Sequence, residues 1–405
     1  MIGRATLSRI HLKRPGPIVS ILIALVVIAV GATAVRMLFG IGAISNLNNS
    51  YSWAFWISFD ILCGVALGAG AFTMAALVYI FKLEQFRPLL RPSVLTGLLG
   101  YIMVVVALLV DLGRPERIWH MLVYQNGHSV LLEIGLCVMT YTTVLFLEFL
   151  PVILEKPNWQ KPIHILHAIT LPLVILGVVL STLHQSSLGS LFLIMPERLH
   201  PLWWTPILPL LFFISAIGVG LGMVILESSL SSHAFHRGLE THLLSKLARA
   251  ILYVLGLYLI IRFGDLALEN KLDLLFTSGS YSVLFWVEVA VMALIPIVLF
   301  SIRSVRESPK GLLIGAVFVV GGLMLNRFDV SWFALSHPGT QSYIPGVFEI
   351  AVSFGIVAAG VLVFGFIANY FPLFESGEHA EEHVVEPKVK AASSVPVPAT
   401  ARSAQ

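Results

Sequence analysis

Asp60, Glu133, Glu148, Glu227 and His184 each stand inside a long run of apolar residues. A charge near the centre of a bilayer costs about 3 kcal/mol or more on insertion scales, so an ionisable side chain kept there is a functional candidate in its own right. Carboxyl groups in such a place can hand protons along, and an imidazole can do so near neutral pH while hydrogen-bonding a substrate carbonyl. Glu133 and Glu148 are fifteen residues apart, which at 100° per residue brings them to within about 60° of one helix face. They read as two ends of a proton path, with Glu227 feeding it and the Tyr101 hydroxyl assisting. His184, in the segment TLHQSSLGS, reads either as the group that meets a substrate or as a capping or structural histidine.

The elements that hold these residues follow from composition. Of 405 residues, 57% are hydrophobic and only 12% charged, and the mean hydropathy is +0.90, outside the usage of soluble domains. The formal charge of +3 carries no nucleic-acid footprint. A crossing takes about 20 mostly apolar residues, and ten runs meet that length, near 18–40, 53–82, 92–113, 130–154, 163–186, 202–230, 243–266, 281–303, 311–328 and 347–373. The expected fold is an all-α membrane protein. Residues 1–17 form a short N-terminal segment, 18–374 the transmembrane domain, and 375–405 a polar tail whose Glu, Ala, Ser, Pro and Val content predicts disorder. The first run also reads as a signal peptide, because a basic segment precedes it and Ala32-Thr33-Ala34 looks like a cleavage site. SVLLEIGLCVM from Ser129 and SVLFWVEVAVM from Ser282 share their opening Ser-Val-Leu and closing Val-Met. Spans three and four then pair with seven and eight as a parallel repeat, giving two related bundles. Chance similarity between apolar helices is the rival explanation.

Lys and Arg concentrate in the N-terminal segment and in alternate short loops, at positions such as Arg9, Lys13, Lys82, Arg87, Arg91, Lys156, Arg237, Lys246, Arg303 and Lys310. Positive charge stays cytoplasmic, so both termini are expected on the cytoplasmic side of a cell inner membrane. At about 1.5 Å per residue, the outer half then receives Asp60, Asp111, Glu133, His184, Arg262, Asp265, Glu288, Arg327 and Glu349, and the inner half Glu148, Glu227, His164 and His167. Asp111 with Arg114, and Arg262 with Asp265, are spaced three apart and could neutralise one another on a helix face. Asp60, Glu133 and Glu288 have no opposite charge on their own spans and are expected to be buried for function. Seven tryptophans, among them Trp56, fall toward the outer face and only Trp159 toward the inner, as an outer docking surface, an aromatic pocket or a one-sided interfacial belt would require.

Two cysteines, Cys63 and Cys137, are too few for an iron-sulfur cluster, which takes about four thiolates. Any cluster must belong to another subunit. His167 and His184 are seventeen residues apart, about 25 Å of helix rise, so they cannot share a haem iron. An inner haem using His164 or His167 with His233, His236 or His242 stays open.

The ordered segments YSWAFWISFDILCGVALGAGAF, DLGRPERIWHMLV, SVLLEIGLCVMTY, LEFLP, STLHQSSLGSLFLI, HPLWWTPILPLLFFISA and RFGD resemble the polysulfide reductase/NrfD family of quinone-interacting membrane anchors, and within it the membrane subunits of nickel-iron hydrogenases. The likeness runs to about Phe374. It implies an integral subunit with no haem or iron-sulfur cluster of its own, and a quinone (menaquinone or ubiquinone) as substrate. The implied partners are a periplasmic ferredoxin-like iron-sulfur subunit and the catalytic subunits of a hydrogenase or of a related sulfur-compound or sulfite-reducing complex. Family roles fall on Tyr101, Glu133, Glu148, His184 and Glu227. Joined to the residue reading, the expected site has Glu133, Glu148, Glu227 and Asp60 as proton-exchanging groups and His184, Trp56, Tyr101, Asp111 and Arg114 around the quinone, with no metal. The chain is expected to react with quinone only within a hydrogen:quinone oxidoreductase complex. Two other classes also bury polar residues. A secondary transporter would place them near the midplane on broken helices, and a purely structural anchor would need neither Asp60 nor Glu133.

Overall fold

Between lipid tails an apolar run must satisfy its own backbone, which leaves the α-helix as its stable form. The computed structural model describes residues 16–48, 51, 53, 55–335 and 343–374. The predicted tail over 375–405, and residues 1–15 of the N-terminal segment, lie outside the described residues. Among the described residues ten helices are long and apolar enough to cross a membrane: α1 (Pro17–Phe39), α2 (Ile57–Ile80), α3 (Glu84–Asp111), α4 (Val130–Glu155), α5 (Gln160–Ser190), α6 (Leu208–Ala234), α7 (Thr241–Leu268), α8 (Ser280–Ser301), α9 (Pro309–Phe333) and α10 (Val347–Tyr370). All ten match the predicted spans in order. Helix α3 begins well before residue 92 because Pro88 sits in its first turn, where the missing N–H costs little. Helix α9 runs on through Arg327 and Asp329 to Phe333, past the point where charge suggested an end.

Local chemistry sets the ends. Ser129 caps α4 by accepting from the Leu132 N–H at 3.3 Å, and Ser308 caps α9 by accepting from Gly311 at 3.0 Å with Pro309 at the first position. Glu349 reaches back to the Gly346 N–H at the start of α10. At the opposite end of the molecule, Arg91 holds Glu155 by two bonds of 3.0 and 2.8 Å and also donates to the Pro372 carbonyl at 3.0 Å. One guanidinium therefore ties α3, α4 and the segment after α10 together.

Helices α2 to α5 pack as one group and α6 to α9 as a second, while α1 and α10 pair with each other and lean on α3. Within these groups α4 packs against α3 and α5, and α8 against α7 and α9. The odd-to-even connections (40–56, 112–129, 191–207, 269–279 and 334–346) are long and the even-to-odd ones short, which gives the bundle a long-loop end and a short-loop end.

The halves meet where α2 crosses α6 and where α5 packs on α6, and α2 and α6 are largely enclosed. Glycine makes the crossing close: a Cβ on Gly220 would lie 2.7 Å from the backbone of Ala69 and Gly70, and one on Gly70 would lie 2.9 Å from the Gly220 carbonyl. Small residues let helix backbones approach where no hydrophobic effect drives them together. Gly220→Leu is expected to cost about 1–3 kcal/mol or more through overpacking, read as a lowered melting temperature or lost yield of the purified protein, whereas Gly256→Leu, where nothing stands within 4 Å, leaves both unchanged.

Candidate functional site

Three polar groups are set into the long-loop half of the bundle. The first lies between α3, α4 and α5. Tyr101 and His184 are both fully buried, and the Tyr101 hydroxyl meets His184 Nδ1 at 3.1 Å. Tyr141 packs edge-on against Tyr101 at 4.8 Å, and Gln185 donates to the Val65 carbonyl on α2 at 3.1 Å. One turn beyond His184, Ser187 donates to Glu133 at 2.5 Å. Two polar atoms here have no protein partner: His184 Nε2 and Gln185 Oε1. Buried polar atoms are ordinarily paired, so this concentration marks a place prepared for another molecule. Glu133 departs from expectation: it lies in the first turn of α4 and is exposed, so it forms the rim of the group and not its interior. An N-terminal turn suits a carboxylate, because the unpaired backbone N–H groups there favour negative charge.

The second group lies on the other side of α2, facing α1, α3 and α10. The Ser353 hydroxyl donates to Asp60 at 2.5 Å, and Trp56, fully buried, donates from Nε1 to the Glu349 carbonyl oxygen at 3.2 Å. Glu349 accepts from the Tyr343 hydroxyl at 2.8 Å and from the Asn46 N–H at 3.3 Å, so it is a structural cap. Arg36, which the sequence reading passed over, is buried and donates to the carbonyls of Val110 and Leu112. It is the cation beside Asp111, while Arg114 is exposed in the following loop. The anticipated Asp111–Arg114 pair does not form. Asp111 stands ten residues along α3 from Tyr101, about 15 Å of rise, so Trp56, Asp60 and Asp111 make a neighbourhood of their own rather than a shell around His184.

The third group lies in the α6–α9 half. Glu288 accepts from Trp203 Nε1 at 2.6 Å and from Asn326 at 2.7 Å. Arg327 donates to Asn326 at 2.6 Å, Ser215 at 2.9 Å and the Phe212 carbonyl at 3.2 Å, and its guanidinium lies over the Phe212 ring at 3.7 Å. Arg262 donates to the Leu202 carbonyl and Asp265 accepts from Thr205 at 2.9 Å. Each thus finds a partner in the 191–207 loop instead of pairing with the other. Asp329 belongs to this group and was missed, because the predicted ninth span stopped one residue short of it.

Among the described residues four helical segments have π-type turns: Ile57–Cys63 and Ala76–Ile80 in α2, Ala290–Leu294 in α8, and Asp329–Phe333 in α9. Such turns recur at functional positions, since the extra residue re-aims side chains and loosens the local ladder. Asp60 and Asp329 both sit in one.

Toward the short-loop end, Glu148 is half-buried and its carboxyl lies where a side chain on Gly177 of α5 would touch it. Tyr141, one helical repeat away, is its electrostatic neighbour. Glu227 is buried and lines two small cavities of about 10 and 20 Å³, each of a size to hold a water or two. One reaches inward to Gly70 and Leu67, and the other outward to Arg237 and Glu240. His164, His167, His233, His236 and His242 are all exposed, so none is enclosed between helices as an axial haem ligand would be. No cluster of three or more His, Cys, Asp or Glu side chains suited to a metal ion occurs among the described residues.

Residues 43–332 match the family described as "Polysulphide reductase, NrfD". Over 86% of its length the chain is 33% identical to a "Probable Ni/Fe-hydrogenase 2 b-type cytochrome subunit" of Escherichia coli, covering 90% of that protein. It is 30% identical, over 83% of its length and 86% of the relative, to the "Menaquinone reductase, integral membrane subunit" of Nitratidesulfovibrio vulgaris. To a polysulfide reductase chain of Wolinella succinogenes it is 27% identical over 67% of its length and 91% of the relative.

The loop above Glu288 has a titrating contact of its own. His200 Nδ1 accepts from the Leu202 N–H at 3.2 Å, and its ring stacks on Tyr281 at 4.3 Å; partial burial pulls the imidazole below its ordinary range. A value depressed in the folded loop means the contact is complete above the ordinary histidine range near about 6.5 and is lost as pH falls through the lower folded value. Deuterium uptake over residues 199–205, corrected for intrinsic rates, is therefore expected to rise on acidification in the native protein, and His200→Gln should flatten that dependence.

Proposed function

Because the chain belongs to the polysulphide reductase NrfD family, we propose that it is the quinone-reactive membrane subunit of a respiratory oxidoreductase complex, passing electrons between an iron-sulfur partner on the long-loop, periplasmic face and the quinone pool. The observation that carries this reading is His184: it is fully buried, its Nδ1 is held by Tyr101, and its Nε2 has no partner. An imidazole fixed through one nitrogen presents the other in a set direction, which is what orienting a carbonyl oxygen requires. The hydrogenase and menaquinone reductase relatives support both the class of partner and the class of substrate.

Reducing a quinone to a quinol takes two electrons and two protons. The electrons come from the partner's clusters, since this chain has only two cysteines. Helices α4 and α5 present much of their surface outward, and Glu133 is exposed on that surface, so a lipid-soluble substrate reaches its carboxyl from the membrane without crossing the loops. Tyr101 and His184 orient one carbonyl oxygen. Glu133, held by Ser187 at the rim, exchanges the proton with that oxygen directly or through a water. The Glu227 cavities and Glu148 supply a route from the short-loop side, the proton path proposed between the two ends of α4. Asp60, separated from this group by α2, adjusts the local field and does not touch the substrate.

Glu133→Gln keeps the shape and the Ser187 contact but cannot give up a proton. In the purified complex it is expected to lower quinone-linked turnover by about 100-fold or more, with the partner subunits still bound and partner activity toward a soluble dye unchanged. Turnover at the native rate would remove Glu133 from the mechanism.

A further inference from the structure

The Asp329 carboxyl is fully buried, yet neither of its oxygens receives a hydrogen bond. It lies in hydrogen-bonding contact with the carboxyl of Glu288, which is itself buried and already accepts from Trp203 and Asn326. Two bare carboxylates so placed repel each other, and an ionised carboxylate without a donor in an apolar interior costs several kcal/mol.

The nearby cations do not relieve this. Arg327 gives its donors to Asn326, Ser215 and the Phe212 carbonyl, and Arg262 gives Nη2 to the Leu202 carbonyl. Neither forms a salt bridge with either acid among the described residues. Tyr258, on α7, shares the electrostatic surroundings of both acids and both arginines. Arg262 Nε and Nη1 and Arg327 Nε are left without acceptors in the same enclosure. What the contact lacks is a donor between the two carboxyls, and a proton on Asp329, donated to Glu288, supplies it.

This pair is joined to the first half of the bundle. The Ser331 hydroxyl donates to the Arg327 carbonyl at 2.6 Å and meets the Ser58 hydroxyl at 2.7 Å. Ser58 and Asp60 lie in the same π-type turn of α2, and Ser331 and Asp329 in the matching turn of α9. Cys63 feels both Asp60 and Arg327 and points its thiol at the Ser58 carbonyl at 3.2 Å. The Ser58–Ser331 contact therefore joins the turn that holds Asp60 to the turn that holds Asp329.

We propose that Glu288 and Asp329 hold one proton between them as a second proton-exchange site, in the α6–α9 half of the bundle, connected to Asp60 through Ser58 and Ser331. The site stands whether or not quinone is the substrate of the first group, because it concerns groups that touch no substrate.

The test is infrared spectroscopy of the purified complex in H2O and after transfer to D2O. A deuterium-sensitive carboxylic-acid carbonyl band is expected in the native protein and is expected to be lost in Asp329→Asn. The asparagine amide can still donate to Glu288, so this variant should assemble and melt as the native protein does. Glu288→Gln brings an amide donor against Trp203 and Asn326 and removes the anion from beside Arg327, and it should lower the melting temperature. Ser331→Ala should slow deuteration of the band by about tenfold, the effect of removing one hydrogen bond from the route. A band that persists unchanged in Asp329→Asn overturns the proposal. So does failure of Asp329→Asn to assemble, which would mean that an ionised Asp329 is needed. Native deuteration kinetics in Ser331→Ala overturn the connection to Asp60.

Discussion

A polar group set between apolar helices must find its partner inside the protein, because neither lipid nor solvent supplies one. That constraint organises this molecule more than apolar packing does, since lipid tails compete equally well for apolar side chains. Trp56 on the Glu349 carbonyl, Trp203 on Glu288, Arg36 on the Val110 and Leu112 carbonyls and Gln185 on Val65 each tie one segment of the chain to another. Removing one member would leave the other buried and unpaired, the costlier half of any such bond. Between the two halves, the glycine crossing of α2 and α6 brings backbones into contact, and the Ser58 and Ser331 hydroxyls meet at 2.7 Å.

The same constraint explains why unpaired atoms carry information here. The three groups in the long-loop half contrast in this respect. Around Glu349 the acceptors are matched by donors, and the group behaves as a helix cap. Around His184 they are not, and the shortfall sits beside an exposed carboxylate. Around Glu288 the unmatched atoms are fully enclosed. A rim open to the outside fits a molecule that comes and goes, while an enclosed shortfall fits something as small as a proton or a water.

Much of this was legible from residue type alone. Ten spans, and the gathering of Asp60, Glu133, His184 and Glu288 toward the ends that carry the long loops, follow from hydropathy and spacing. The misses have physical causes. Hydropathy ends a span where charge begins, so Asp329 fell outside the ninth helix, although the helix continues through a π-type turn. Arg36 was overlooked because a lone arginine near a helix end reads as interfacial, and only the fold brings the end of α3 to it. The pairs Asp111–Arg114 and Arg262–Asp265 satisfied a one-helix rule, yet loops and neighbouring helices offered nearer partners. Local spacing cannot see a carbonyl that arrives from another span.

The position of α2 follows from these corrections. Expected site residues appeared as one set, but Tyr101 and His184 contact one side of α2 through Gln185 and Val65, while Asp60 and Trp56 leave from its other side toward α10. Between them α2 is enclosed along most of its length and interrupted by two π-type turns. A helix so confined has no room to shift as a rigid rod, and its wide turns are the places where the backbone can give locally. A change of charge at Asp60 would then be felt by the Val65 carbonyl just over one helical turn away, and through Gln185 by the side chains around His184. On the proposed function, α2 is the element through which the protonation of one neighbourhood biases the other, with no need for the two to share a substrate.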